Sequence, residues 1–191
     1  WRCPWNFESH ANCLLSREVT ESEGMKGIAG VFLVALLATL GGCAVALPNR
    51  DVEASAWAAN YTEDYIYDYR IQTVSGKRTG VGGGNVAEFS RGGTAGIECC
   101  GRMPGVGQTV KVVWQVGGRQ EDRSEWKTYS RDVVVTGTMP RGSRHHSRLV
   151  VRFFPNHEIE AELFPYGELD PKNPRVDKLF SGERVMRHKG E

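Results

Sequence analysis

The sequence has no apolar run long enough to cross a membrane as a helix. The longest, Ile28 to Leu40, falls short of the roughly 20 residues that a spanning helix needs and matches the length of a signal-peptide apolar region. Catalytic signatures are missing too. Without G-x-S-x-G there is no α/β-hydrolase nucleophile elbow. His157-Glu158 has no second histidine to complete H-E-x-x-H. The glycine-rich stretch Ser75 to Gly96 lacks the G-x-x-x-x-G-K-[ST] pattern before a helix, which excludes a phosphate-cradling loop. Neither sign of charge dominates: 24 Lys+Arg stand against 23 Asp+Glu, a net charge of +1, without the basic stripe of a nucleic-acid binder. The acidic row Glu158, Glu160, Glu162 reads as a solvated strand face. His145-His146 with His157 would need three convergent ligands to hold a metal, and adjacent histidines diverge. No catalytic residue, cofactor or metal is expected.

What is present begins with an export signal. Met25-Lys26 opens the apolar run, and small residues lead to a cysteine at Leu40-Gly41-Gly42-Cys43. The segment resembles a bacterial lipoprotein signal. That resemblance implies that 25–42 is a signal peptide and that Cys43 is the lipid-modified first residue of the mature protein. Ala44 stands where lipoproteins retained in the inner membrane usually carry Asp, which implies the periplasmic side of the outer membrane. Residues 1–24 open on Trp1, hold Cys3 and Cys13, and put Glu21 and Glu23 before Met25. An acidic flank is wrong for an export signal. The segment is expected to be an over-extended start and is left out of the fold.

The mature part is roughly 150 residues long, enough for one domain with one core. Residues 43–54 read as a tether containing Pro48, residues 55–165 as the domain, and 166–191 as a polar tail with Pro171 and Pro174. Within the domain the period is two. Tyr65, Tyr67, Tyr69 and Ile71 share one predicted strand face. Val110, Val112, Trp114 and Val116 share another, and Trp126 to Thr136 is a third strand. Ser75 to Gly96 reads as loops and bulges around a short strand, Asn85 to Phe89. Leu149, Val151 and Phe153, then Ile159, Ala161 and Leu163, predict a hairpin about Pro155-Asn156-His157. A three-residue turn sets Val151 opposite Ala161, and Arg152 opposite Glu160 as an exposed pair. Short strands with Gly and Pro between them and no long helical period predict an all-β fold. The expected form is a β-sandwich of mainly antiparallel strands with a short irregular C-terminal tail.

Of the mature cysteines, Cys99 and Cys100 are adjacent. In an oxidising compartment they can form a vicinal disulfide, pair between chains, or stay as buried thiols. The vicinal disulfide is the expected state, although neighbours on a strand point to opposite faces and the bond needs a distorted backbone.

Several motifs together resemble a proteobacterial lipoprotein family catalogued as a domain of unknown function, family 3304. They are Asn60-Tyr61-Thr62 leading into a strand, Cys99-Cys100 before Met103-Pro104-Gly105, the strand Val110 to Trp114, and the hairpin Phe153 to Ile159. The resemblance covers roughly residues 57–175. Members are associated with type VI secretion neighbourhoods beside phospholipase-like effectors. This implies an immunity protein that binds and blocks a lipase effector in the periplasm. The alternative is a structural or assembly lipoprotein of the envelope or of a secretion apparatus. Partner-binding residues are expected in the loops. The candidates are Arg119, Glu121, Asp122 and Arg123 in one, and Arg141, Arg144, His145 and His146 in another, with Ser75 to Gly96 as a third surface.

Overall fold

Strand β1 (Asp51–Asn60) starts inside the segment predicted as tether. Its inward face is Val52, Ala54, Ala56 and Ala58, each at most 5% exposed. Alanine is a weak strand former, so the alternation carries little hydrophobic contrast, and burial rather than propensity makes the strand. The computed structural model describes residues 50–98, 100–141, 146–165 and 169–191. Cys43 with its expected lipid, the stretch 25–42 expected to be a signal peptide, and Cys99 lie outside them.

Eight further strands follow: β2 (Ile66–Thr73), β3 (Arg78–Val86), β4 (Gly96–Glu98), β5 (Gly101–Pro104), β6 (Thr109–Val116), β7 (Lys127–Gly137), β8 (Ser147–Phe154) and β9 (Glu158–Pro165). Their order across the sheet is β4-β3-β2-β6-β7-β9-β8-β1-β5. The fold is all-β and mainly antiparallel, as predicted; β1 with β8 and β7 with β9 are the parallel pairs. The two facing layers are one continuous sheet. β7 pairs with β6 through Lys127 to Val134, then with β9 through Val135 to Gly137. At the other seam Ala59 bridges Thr94, and the backbone of Gly101 lies against Thr79 and Gly80. The sheet thus rolls into a nearly closed barrel around a core that includes Ile66, Tyr69, Val112, Trp114, Leu149, Val151 and Phe153. Besides strands, the described residues form only single 3-10 turns, such as Phe89–Arg91 and Lys178–Ser181.

Two strands depart from their predicted form. In β2 the pairing to β6 shifts between Ile66 and Asp68. Such a bulge adds one residue and exchanges the faces. Ile66, Tyr69 and Ile71 therefore face the core, while Tyr67 is 37% exposed. In β3 the glycines lie within a nine-residue strand rather than in loops. Glycine weakens a strand, and here close packing requires it. A Cβ on Gly83 would lie 2.8 Å from the Tyr69 hydroxyl oxygen, and one on Gly84 would lie 2.7 Å from the Tyr67 carbonyl oxygen. Gly83→Val is expected to cost about 1–3 kcal/mol by overpacking, read as a lower urea midpoint at unchanged slope. An unaltered midpoint would show that the Tyr69 ring moves aside freely.

The β8–β9 hairpin has the predicted register: Leu149 with Leu163, Val151 with Ala161, Arg152 with Glu160, and Phe153 with Ile159. Asn156 and His157, at φ 62° and 57°, carry the turn in the left-handed region, which asparagine tolerates best among non-glycine residues. Burial differs from the prediction. The Arg152–Glu160 pair was expected on a solvated face, yet the Arg152 side chain is 2% exposed. The C-terminal segment covers that face. Leu169, Val176 and Phe180 pack on Val150 and Phe164, and Leu179 packs with Ala59, Tyr61 and Phe154. The tail is irregular, as predicted, but it is part of the domain.

Candidate partner-binding surface

The strands bring four connections to one end of the barrel, where β1 and β8 finish. The first is organised by Asn60, fully buried. Its amide donates to the Asp64 and Ala87 carbonyls at 2.8 and 2.9 Å, and its side-chain oxygen accepts from the Thr62 amide and hydroxyl. Glu63 then accepts from the Ser90 hydroxyl at 2.6 Å and the Ser90 amide at 3.2 Å, fastening the 3-10 turn after β3. The hairpin turn is the third connection. There the His157 ring stacks on Tyr129 at 3.8 Å. A groove of about 340 Å³ runs between that turn and residues 61–64, with Tyr61 and Phe154 among its walls and Met186 at its edge.

The fourth connection, between β6 and β7, holds the first group of sequence candidates. Arg119 makes a two-pronged pair with Glu88, at 2.9 and 3.0 Å, with its guanidinium 4.5 Å above the Tyr65 ring. Burial works to raise the Glu88 pKa, but backbone hydrogen bonding and Arg119 outweigh it and hold the carboxyl below its ordinary value. Glu121 accepts from the amides of Gly118, Arg119 and Gln120. Hydrogen bonding from its own amide, then from those of Gln120, Arg119 and Gly118, holds its pKa below the ordinary carboxylate value. Arg119 and Glu121 thus brace the loop. Asp122 and Arg123 are exposed, with the Arg123 guanidinium 5.5 Å over Trp126.

Residues 59–161 match the model described as "Protein of unknown function (DUF3304)". The chain belongs to the DUF3304 family. The matched stretch runs from the end of β1 into β9, so it includes all four connections and excludes the C-terminal segment. The family description assigns no activity. Among curated proteins, none matches the chain.

The second group of candidates lies at the opposite end, where β1 and β8 begin. Arg141 is exposed there. His146 sits 3.4 Å from the Cys100 sulfur through Nε2 and 4.0 Å from Glu53 through Nδ1. Cys100 is disulfide-bonded, and its partner lies outside the described residues, as do Cys99, Arg144 and His145. The three predicted surfaces therefore do not merge into one. Glu88 in the glycine-rich segment meets Arg119, while Arg141 and His146 stand about a strand's length away. Among the described residues, no three His, Cys, Asp or Glu side chains are grouped to hold a metal ion.

Sequence reasoning missed a buried ionic cluster. The Arg152 Nε donates to both Asp177 oxygens at 2.9 and 3.0 Å, and its Nη1 meets Glu162 at 2.7 Å. Arg175 meets the other Glu162 oxygen at 2.7 Å. The Tyr61 hydroxyl donates to Asp177 at 2.5 Å. Burial alone would lower the Arg152 pKa, but Asp177 and Glu162 more than offset it and the pKa rises. The near-continuous apolar run Leu149 to Phe154 around Arg152 was a legible signal, since such runs mark strands covered on both faces. Burial, then the Asp177 carboxylate, push the Tyr61 pKa well above its ordinary value. A raised pKa stabilises the fold fully below the unfolded value, near 10 for tyrosine. That contribution is lost as pH rises from there toward the folded value. Stability is expected to fall above about pH 10 and to fall less steeply in Tyr61→Phe, as read by urea titrations across alkaline pH. Identical slopes for both proteins would refute the assignment.

Proposed function

We propose that the chain is a lipoprotein, anchored through Cys43 on the periplasmic side of the outer membrane, that acts by binding a protein. In this reading it is an immunity protein that blocks a lipase effector delivered by type VI secretion. The observation that carries the binding reading is the bracing of the loop end. Asn60, Glu63, Glu88 and Glu121 hold the connections in place, while Asp122, Arg123, Asn156 and Met186 remain exposed. Loops ordered in advance lose little entropy on association. Their mixed charges suit a specific complementary surface. Chain geometry adds an orientation. Ala44 to Arg50 spans at most about 25 Å when extended, and β1 then carries the chain about 33 Å to the loop end. With a Cys43 anchor these loops stand at the end of β1 remote from the tether, a position that suits contact with a soluble partner.

The test is to look for a phospholipase-like effector encoded beside the gene and to co-express it with the chain. Protection and a one-to-one complex are expected, and Asp122→Arg with Arg123→Glu should weaken both. Recovery of secretion-apparatus or envelope components, with no relief of toxicity, replaces this reading with the assembly one. The anchor is checked separately: Cys43→Ala should abolish lipid labelling and block processing of the precursor.

A further inference from the structure

The end of the barrel opposite the braced loops has a different surface. The β2–β3 turn exposes Val74 (53%), and β7 exposes Val134 (50%). The two flank β6 at the same end, two strands apart, because Thr73 pairs with Val110, Val110 with Val133, and Thr109 with Val134. Basic side chains surround them. Lys77 and Arg78 follow Val74 after Ser75-Gly76 and are exposed. Arg50 is exposed, and its carbonyl accepts from the Gln108 side chain at 3.0 Å, placing it beside the β5–β6 turn. Arg102 on β5 and Arg141 after β7 are exposed as well. Acidic groups here are Asp51, Glu53 beside His146, and Asp132, which lies 4.0 Å from Lys111. Cations outnumber them among the described residues.

We propose that this end is a membrane-contact face that takes an anionic phospholipid bilayer. The inference rests on the Cys43 anchor reading, which it deepens. Two arguments choose the occupant. The first is reach: the seven residues between Cys43 and Asp51 hold the start of β1 within about 25 Å of an acyl anchor, which keeps this end within reach of the bilayer. The second is complementarity. Anionic headgroups attract Lys and Arg near the surface, and exposed aliphatics at the tip of a basic rim suit the headgroup–acyl boundary. The face adds to the lipid anchor and restrains the domain so that the braced loops stay outward.

The experiment uses the full chain and begins with the mass of the mature N-terminal peptide. The lipidated protein is placed on vesicles of phosphatidylethanolamine with phosphatidylglycerol, or of phosphatidylcholine alone, and amide hydrogen exchange is followed. Exchange across 73–78 and 105–109 is expected to slow several-fold on the anionic vesicles only, with 117–126 unchanged. The unlipidated mature chain, begun at Ala44 without the apolar segment, should bind the anionic vesicles weakly, and Lys77→Gln with Arg78→Gln should reduce that binding about 25-fold. Equal exchange on both vesicle types, or slowing at 117–126 instead, overturns the inference even if Cys43 carries lipid. If Cys43 carries none and the chain still binds anionic vesicles through 73–78, the anchor reading falls and the face stands.

Discussion

Asp177→Ala is expected to destabilise the domain by about 3–5 kcal/mol, because it leaves the Arg152 guanidinium buried without its main partner. Asp177 is 2% exposed and accepts from Arg152 and Tyr61 at once. It sits in the segment that covers the outer face of β8, so its loss should also release that segment. Faster hydrogen exchange over residues 176–182 should therefore accompany the lower urea midpoint. Replacing the pair with apolar groups, Arg152→Met with Asp177→Leu in a Tyr61→Phe background, should recover part of the loss, since a buried pair repays little more than its own desolvation and Glu162 keeps Arg175 as a partner. A single variant of near wild-type stability would show that the cluster admits water freely. A combined variant as weak as the single one would show that shape rather than charge holds the tail.

Val151→Asp is expected to cost about 4–5 kcal/mol or more, enough to prevent folding at physiological temperature if the domain has ordinary stability. Val151 is fully buried, opposite Ala161 in the hairpin and within the barrel core. Among the described residues the core cluster around Val151 is made of apolar and aromatic side chains, so the new carboxylate must be protonated or drag water inside. Val151→Ala separates charge from volume and should cost only about 1–2.5 kcal/mol. Loss of soluble protein for the aspartate variant with a folded alanine variant is the expected pattern. Full stability in Val151→Asp would mean that the strand has slipped its register.

Strands whose hydrophobic contrast is strong are legible in the sequence. Val110, Val112 and Trp114 announce β6, and the apolar residues on both arms set the β8–β9 register, because a one-residue slip would turn every one of them outward. The family is legible too, since its motifs lie in those same strands and turns. β1 escapes detection because alanine offers weak contrast. The bulge in β2 escapes because one extra residue exchanges faces without altering composition. In β3 the glycines read as loop until the Tyr69 ring is seen occupying the space a side chain would take.

Local pattern thus determined the all-β class, the hairpin register and the family, because each follows from residues a few positions apart. Tertiary structure alone decided which polar residues are buried and which loops share a surface. Arg152 looked solvated until residues 25 positions later folded over it. Arg119 looked free until Glu88, 31 positions earlier, was brought beside it. Arg119 and Arg141 were both candidates for partner contact, in two loops, yet β1 separates their neighbourhoods along its full length. Burial and proximity of this kind depend on chain closure over long sequence distances, and the period of the chain records only its immediate neighbours.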